Sequence, residues 1–214
     1  EQWPRAAREI SVSGRALFEA FSPGPITVVL PKYAAIASIA TAGLDTVGVR
    51  VPDQSLACQM LEHCALPIAA PSANVSGRPS CTTWQSVLED LDGRIDAVLK
   101  GPPPTIGVES TVVDCTGPQP ILLRPGGISL EQLQSVVPET ISLRPAASSK
   151  LAAKSPGLLH PHYQPVAKVH LIEADEWTPA AIARFASQLP AGEAYVTLGI
   201  GCEISVEQSS AQCA

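Results

Sequence analysis

Prolines punctuate this chain, and the apolar runs between them are short. Proline fixes φ and carries no N–H, so it closes a strand or opens a helix rather than sitting inside either. The chain has 21 prolines in 214 residues, about twice the usual ~5%, and they cluster at the ends of β-branched segments. ITVVL (26–30) and TVGVRVP (46–52) therefore read as strands, as do PIAAPS (67–72), DAVLKG (96–101), GVESTVVDC (107–115) and PILLRPG (120–126). Helical spacing predicts a helix over 5–21, stopped by SPGP (22–25), and a small one over 32–43 closed by Gly43. A third is expected over Gln54–Ala65 with Asp53 as its cap. Thr82 and Gln85 have capping-box spacing for a helix ending at Asp92-Gly93, and Ser129 and Gln132 repeat it for a helix to Val137. Residues 145–166 are aperiodic and read as a linker. Beyond them VAKVHLIEA (166–174), TPAAIARFASQL (178–189) and EAYVTLGIG (193–201) read as strand, helix and strand, the start of a parallel βαβ unit, with SVEQSSAQCA as a polar tail. The fold class is α/β, a twisted mixed sheet flanked by helices.

Composition excludes several classes. With 45% hydrophobic and 16% charged residues the chain is not disordered. No apolar run reaches the ~18–20 residues of a membrane span. A net charge of −6 argues against a uniformly basic nucleic-acid binder, and 4% aromatics argue against a base-stacking platform. Cys58, Cys64, Cys81, Cys115, Cys202 and Cys213 form no CxxC pair and no zinc spacing with histidine. They read as reduced thiols of a cytoplasmic protein. EQWPRAAREI lacks the layout of a signal peptide.

Four clusters carry chemistry. PSANVSGRPS (71–80) offers hydroxyls, backbone N–H groups and small side chains to an anion; an ordinary surface loop has the same composition. In GVESTVVD (107–114), strand alternation puts Ser110 on one face with Val108 and Val112, and Glu109 with Thr111 on the other. One face meets a polar ligand, or the strand is a half-exposed edge. Arg124, in LRPG (123–126), stands at a strand end before a rigid turn and can fork onto a phosphate or carboxylate, or make a surface ion pair. Arg50, between Val49 and Val51, needs a partner or a bound anion. Together two arginines and several hydroxyls favour a phosphate-bearing and a carboxylate-bearing ligand side by side. No GxxxxGK[ST] or GxGxxG loop and no catalytic triad spacing is present. His160 and His162 lack further metal ligands nearby, Glu109 has no geometry that makes it a general base, and no catalytic residue is assigned.

SPGPIT, TVGVRVPD, APSANVSGRPS, GVESTVVDCTG and ILLRPGGIS, in this order, resemble the YrdC-like domain of threonylcarbamoyl-AMP synthases. SPGLLHPHYQP resembles the proline-rich linker of the two-domain form. The resemblance implies a YrdC-like domain over 1–144, a linker over 145–167 and a partial Rossmann-like domain over 168–214. It implies that ATP, L-threonine and bicarbonate give threonylcarbamoyl-AMP and pyrophosphate, with Mg²⁺ accompanying ATP. A downstream transferase then modifies adenosine 37 of tRNA, which makes tRNA or double-stranded RNA a possible partner. Carried over by position, Thr46, Ser72, Ser80 and Arg124 contact ATP, and Tyr163 closes over it. Arg50, the Ala70 backbone and Ser110 hold threonine. Several positions depart from the pattern: Ser22 stands where the family has Trp, and Leu159, His160 and Pro161 replace a basic-aromatic run. The family's first third, with a Lys-x-Arg phosphate motif, is unmatched, so these residues alone are expected to release no pyrophosphate. Two other readings are a carbamoyl-adenylate-forming domain of a hydrogenase-maturation carbamoyltransferase and a non-catalytic double-stranded-RNA-binding module.

Overall fold

The computed structural model describes residues 3–143, Thr178, Arg184 and the segments 194–197 and 205–208. The chain divides into two compact units, Glu1–Pro165 and Val166–Ala214. Tyr163, the linker 145–167 and the strand and helix expected at 166–189 lie outside the described residues, apart from Thr178 and Arg184.

In the first unit the proline-bounded runs form a five-stranded mixed sheet in the order β2-β1-β3-β4-β5. Its strands are β1 (Ile26–Pro31), β2 (Thr46–Val49), β3 (Thr111–Asp114), β4 (Ile121–Arg124) and β5 (Ile141–Ser142). β1 runs antiparallel to β2 and parallel to β3, and β4 is antiparallel to β3. Strands in the middle of a sheet covered on both faces carry near-continuous apolar runs. Ile26, Val28, Leu30 and Val113 pack on one face with Leu17, Phe18 and Leu133, and Val29, Val112 and Leu123 pack on the other. Helices α1 (Val12–Phe21) and α4 (Leu130–Val136) supply the first layer. All four β3 residues are buried inside the sheet, so the edge-strand reading fails, and because β3 begins at Thr111 the expected alternation does not extend back to Val108, Glu109 and Ser110. Residues 107–110 precede the strand, which frees Glu109 and Ser110 to turn toward the same partner.

Several helix expectations shift. The first helix begins at Val12 because Ser11 caps it, accepting from Gly14 N at 3.1 Å. Before it, Trp3–Arg5 make a 3₁₀ turn and Ala7 bridges to Lys32. The segment 32–43 is no helix; it holds only a 3₁₀ turn, Ser38–Thr41, because Ile39 faces solvent and no apolar stripe is buried there. α2 (Ser55–Cys64) is capped by Gln54, whose Oε1 accepts from Ala57 N at 2.7 Å, rather than by Asp53. α3 (Trp84–Leu91) uses Thr83 and Ser86, one residue beyond the expected pair. α4 has the expected Ser129–Gln132 capping box. PIAAPS and DAVLKG are not strands: the described residues offer them no ladder partner, and strand propensity alone does not form a strand.

In the second unit, β6 (Ala194–Thr197) pairs antiparallel with β7 (Ser205–Gln208). The expected polar tail therefore contains a strand, since ladder bonding uses the backbone and does not require apolar side chains. The described pairing there is antiparallel, and the strand at 166–174 expected to run parallel to 193–201 lies outside the described residues.

Candidate functional site

Sheet register builds the site. Ile26 pairs with Thr111, Val28 with Val49 and Val112 with Arg124. The start of β1, the end of β2, the start of β3 and the end of β4 thus lie at one end of the sheet, so Arg50 and Arg124 stand at the same set of strand ends. Glycine permits close approach of the turns there. A Cβ on Gly126 would lie 2.2 Å from the Glu109 carbonyl oxygen and 2.4 Å from Thr111 N. The Thr111 hydroxyl locks the same turns, donating to the Ile128 carbonyl at 2.7 Å and accepting from Ile128 N at 2.8 Å.

All three Arg124 guanidinium nitrogens meet protein acceptors. Nε and Nη2 donate to the Ser110 carbonyl at 3.1 and 3.0 Å, Nη2 also donates to Ser110 Oγ at 3.1 Å, and Nη1 pairs with Glu109 Oε2. Ser110 Oγ shares a 2.8 Å hydrogen bond with Thr27 Oγ1. The other Glu109 oxygen, Oε1, accepts from Ser80 Oγ at 3.0 Å, which ties the 71–80 loop to the cluster. Arg50 Nε donates to the Gly24 carbonyl at 3.1 Å. Burial, and then the charge of Arg124, hold the Arg50 pKa below the ordinary arginine value. A guanidinium whose charge is disfavoured by burial and by a second arginine marks a position where an anion is stabilised.

The loop has its own frame. Asn74 Nδ2 donates to the Val75 and Arg78 carbonyls at 2.8 and 2.9 Å. Asp90, on α3, accepts from Val75 N at 3.0 Å and from Arg78 Nη1 at 2.5 Å. The Val75 N–H, then Arg78, hold its carboxyl below the usual carboxylate range. Asn74 Oδ1 is buried without a hydrogen-bond partner.

Of the residues expected from sequence, Arg50, Ser80, Ser110 and Arg124 thus lie in or beside one network. Ala70 and Ser72 lie exposed in the preceding loop stretch. Thr46 pairs with Pro31 at the far end of β2, four residues and about 13 Å of strand from Arg50, so the structure does not bring it to the cluster. Thr27 and Asp90 were not legible as site residues, because their partners are distant in sequence; Asn74, Glu109 and Gly126 stand in the clusters singled out above, in roles that the sequence did not show. A separate cavity of ≈ 300 Å³, between α2 and α3, is lined by Leu56, Met60, Trp84, Val87 and Leu99 and contains neither arginine. Among the described residues no three His, Cys, Asp or Glu side chains group as metal ligands.

A family model described as Telomere recombination, covering Sua5, YciO and YrdC proteins, matches residues 1–126. The chain belongs to the Sua5–YciO–YrdC family. A second model, the C-terminal domain of threonylcarbamoyl-AMP synthase, matches residues 128–210 of this Sua5–YciO–YrdC chain. Threonylcarbamoyl-AMP synthase of Pyrococcus abyssi is 45% identical over 175 residues, 81% of this chain and 51% of the relative. The Bacillus subtilis synthase is 44% identical over 160 residues, 74% of this chain and 46% of the relative. The crystal structure of P. abyssi Sua5 complexed with L-threonine superposes with a TM-score of 0.73 at 44% identity, covering 78% of this chain and 49% of that one. E. coli YciO, at 20% identity and a TM-score of 0.53, shares the fold. The chain spans about half the length of the curated relatives it matches.

Proposed function

We propose that this chain carries the ligand-binding core of a threonylcarbamoyl-AMP synthase, which converts L-threonine, bicarbonate and ATP to threonylcarbamoyl-AMP, pyrophosphate and water. The observation that carries this reading is that Arg50 and Arg124 stand at the same end of the sheet, near enough for the charge of Arg124 to disfavour that of Arg50, with Ser110 bound to Arg124. The reaction needs a carboxylate-bearing amino acid and a phosphate-bearing nucleotide held against each other. Arg50 meets the threonine carboxylate, with Ser110 and the Ala70 backbone beside it. Arg124 meets the phosphates, with Ser80 and Ser72 as further contacts there, Thr46 at the far end of β2 meeting a remoter part of the nucleotide, and Tyr163 as a cover. Rate enhancement on this reading comes from juxtaposition and from fixed charges at the developing negative charge. The binding of L-threonine by the P. abyssi relative supports the amino-acid half.

Mg²⁺ enters with ATP as part of the substrate. Glu109, the cluster's carboxylate, is engaged by Arg124 and Ser80. The product passes to a transferase acting on tRNA. Free thiols at Cys58, Cys64, Cys81 and Cys115 support a reducing compartment, the cytoplasm.

Calorimetry with ATP and with L-threonine tests the reading. Arg124→Ala should weaken ATP binding by about 2–4 kcal/mol, the range for losing a charge-assisted partner in a partly desolvated site. Arg50→Ala should weaken threonine binding and leave ATP nearly unchanged. ATP affinity indifferent to Arg124 would sink the assignment.

A further inference from the structure

We infer that Glu109 is an internal counter-anion that sets the anion affinity of Arg124 and couples its occupancy to the 71–80 loop. This rests on the reading above that Arg124 meets a phosphate. The guanidinium needs no carboxylate for orientation, because Nε and Nη2 both donate to the Ser110 carbonyl and the turn beneath is fixed by Gly126. Glu109 therefore does something else. It places a negative charge on Nη1, one edge of a guanidinium whose other two nitrogens face Ser110. A phosphate or carboxylate that takes a two-pronged grip on Arg124 must share or replace that contact. The pair is only partly exposed, with side chains 17% and 31% accessible, so the exchange is weakly screened by solvent. The second Glu109 oxygen holds Ser80. Displacing the carboxylate from Arg124 thus loosens the hydroxyl that ties the loop down, while Asp90 still anchors Val75 and Arg78 from the other side.

The test uses the 214-residue chain and two probes, inorganic pyrophosphate and ATP. Glu109→Gln keeps the shape and removes the charge. Pyrophosphate should bind the variant about three- to tenfold more tightly than wild type. If the variant does not fold, judged by circular dichroism, Glu109→Asp replaces it; the shorter side chain cannot reach Ser80 and Arg124 together, and the same direction is expected. Unchanged, weaker or unmeasurable pyrophosphate binding by a folded variant overturns the inference. Tighter pyrophosphate binding with no preference for ATP leaves Glu109 in its role and instead overturns the nucleotide reading. Amide exchange over 71–80 should quicken when pyrophosphate is added to wild type, and respond less to it in Glu109→Gln. A loop that exchanges alike in both proteins overturns the coupling.

Discussion

Gly126 and Cys115 show how single atoms hold the site and the layer behind it. At Gly126 any side chain would strike the 109–111 backbone, which cannot swing aside because Thr111 is bound to Ile128 and paired with Ile26. Gly126→Ala should therefore destabilise the fold by about 1–3 kcal/mol, the cost of overpacking, and weaken anion binding with it. Urea unfolding against wild type measures this, and an unchanged midpoint contradicts the packing described. Cys115 is buried beneath α1, where a Cβ on Gly14 would come within 3.3 Å of its own Cβ. Burial, and then the Asp114 charge, push its thiol from the ordinary 9.0 up to about 12. Between those values the folded chain keeps a proton that the unfolded chain has lost. The stabilisation is complete below the unfolded pKa and lost as pH rises toward the folded one, by at most about 1.4 kcal/mol per pH unit. Unfolding free energies measured across that alkaline window should fall more steeply in wild type than in Cys115→Ala; equal slopes would refute the shift.

At the scale of elements, α4 is held at its start by reciprocal side-chain bonds, Ser129 accepting from Gln132 N and Gln132 accepting from Ser129 N. Ser129→Ala should cost about 1 kcal/mol in chemical denaturation, since α4 carries Leu133 into the core; no change would mean that packing alone fixes the helix. This box was legible in the sequence because both partners lie within one turn. So were β1, β2, β3 and β4, whose β-branched or leucine-rich cores match the expected runs in type though not in length. What escaped depends on remote partners. Thr111 looks polar in a list of residues, yet its hydroxyl closes onto Ile128 and it is buried. PIAAPS and DAVLKG have the composition of strands without a described neighbour to pair with. Arg50, Ser110 and Arg124 could be singled out as residue types, whereas the bridging of Arg124 to Ser80 through Glu109 exists only once the turns meet.

For the whole molecule, apolar surface is unevenly spent. α2 and α3 bury no residue completely, and Leu99, Ile68 and Val108 are exposed. β2 stands at the edge of its sheet. Such surface favours self-association. Size-exclusion chromatography should show concentration-dependent oligomers, and Leu99→Lys should shift them toward monomer without moving the urea midpoint. A monodisperse wild type at all concentrations would contradict this. The order of the sheet has another consequence, in time rather than space. β1 and β3 lie side by side with residues 32–110 between them. Their pairing closes a long loop, whose entropy must be met before the contact returns anything. Arg50 with Gly24 forms on one side of that closure and Arg124 with Glu109 and Ser110 on the other, each from nearer stretches of chain. The two halves of the anion site meet only when β1 pairs with β3. A bound anion therefore has no purchase on the early steps of folding: it slows unfolding and leaves the refolding rate alone.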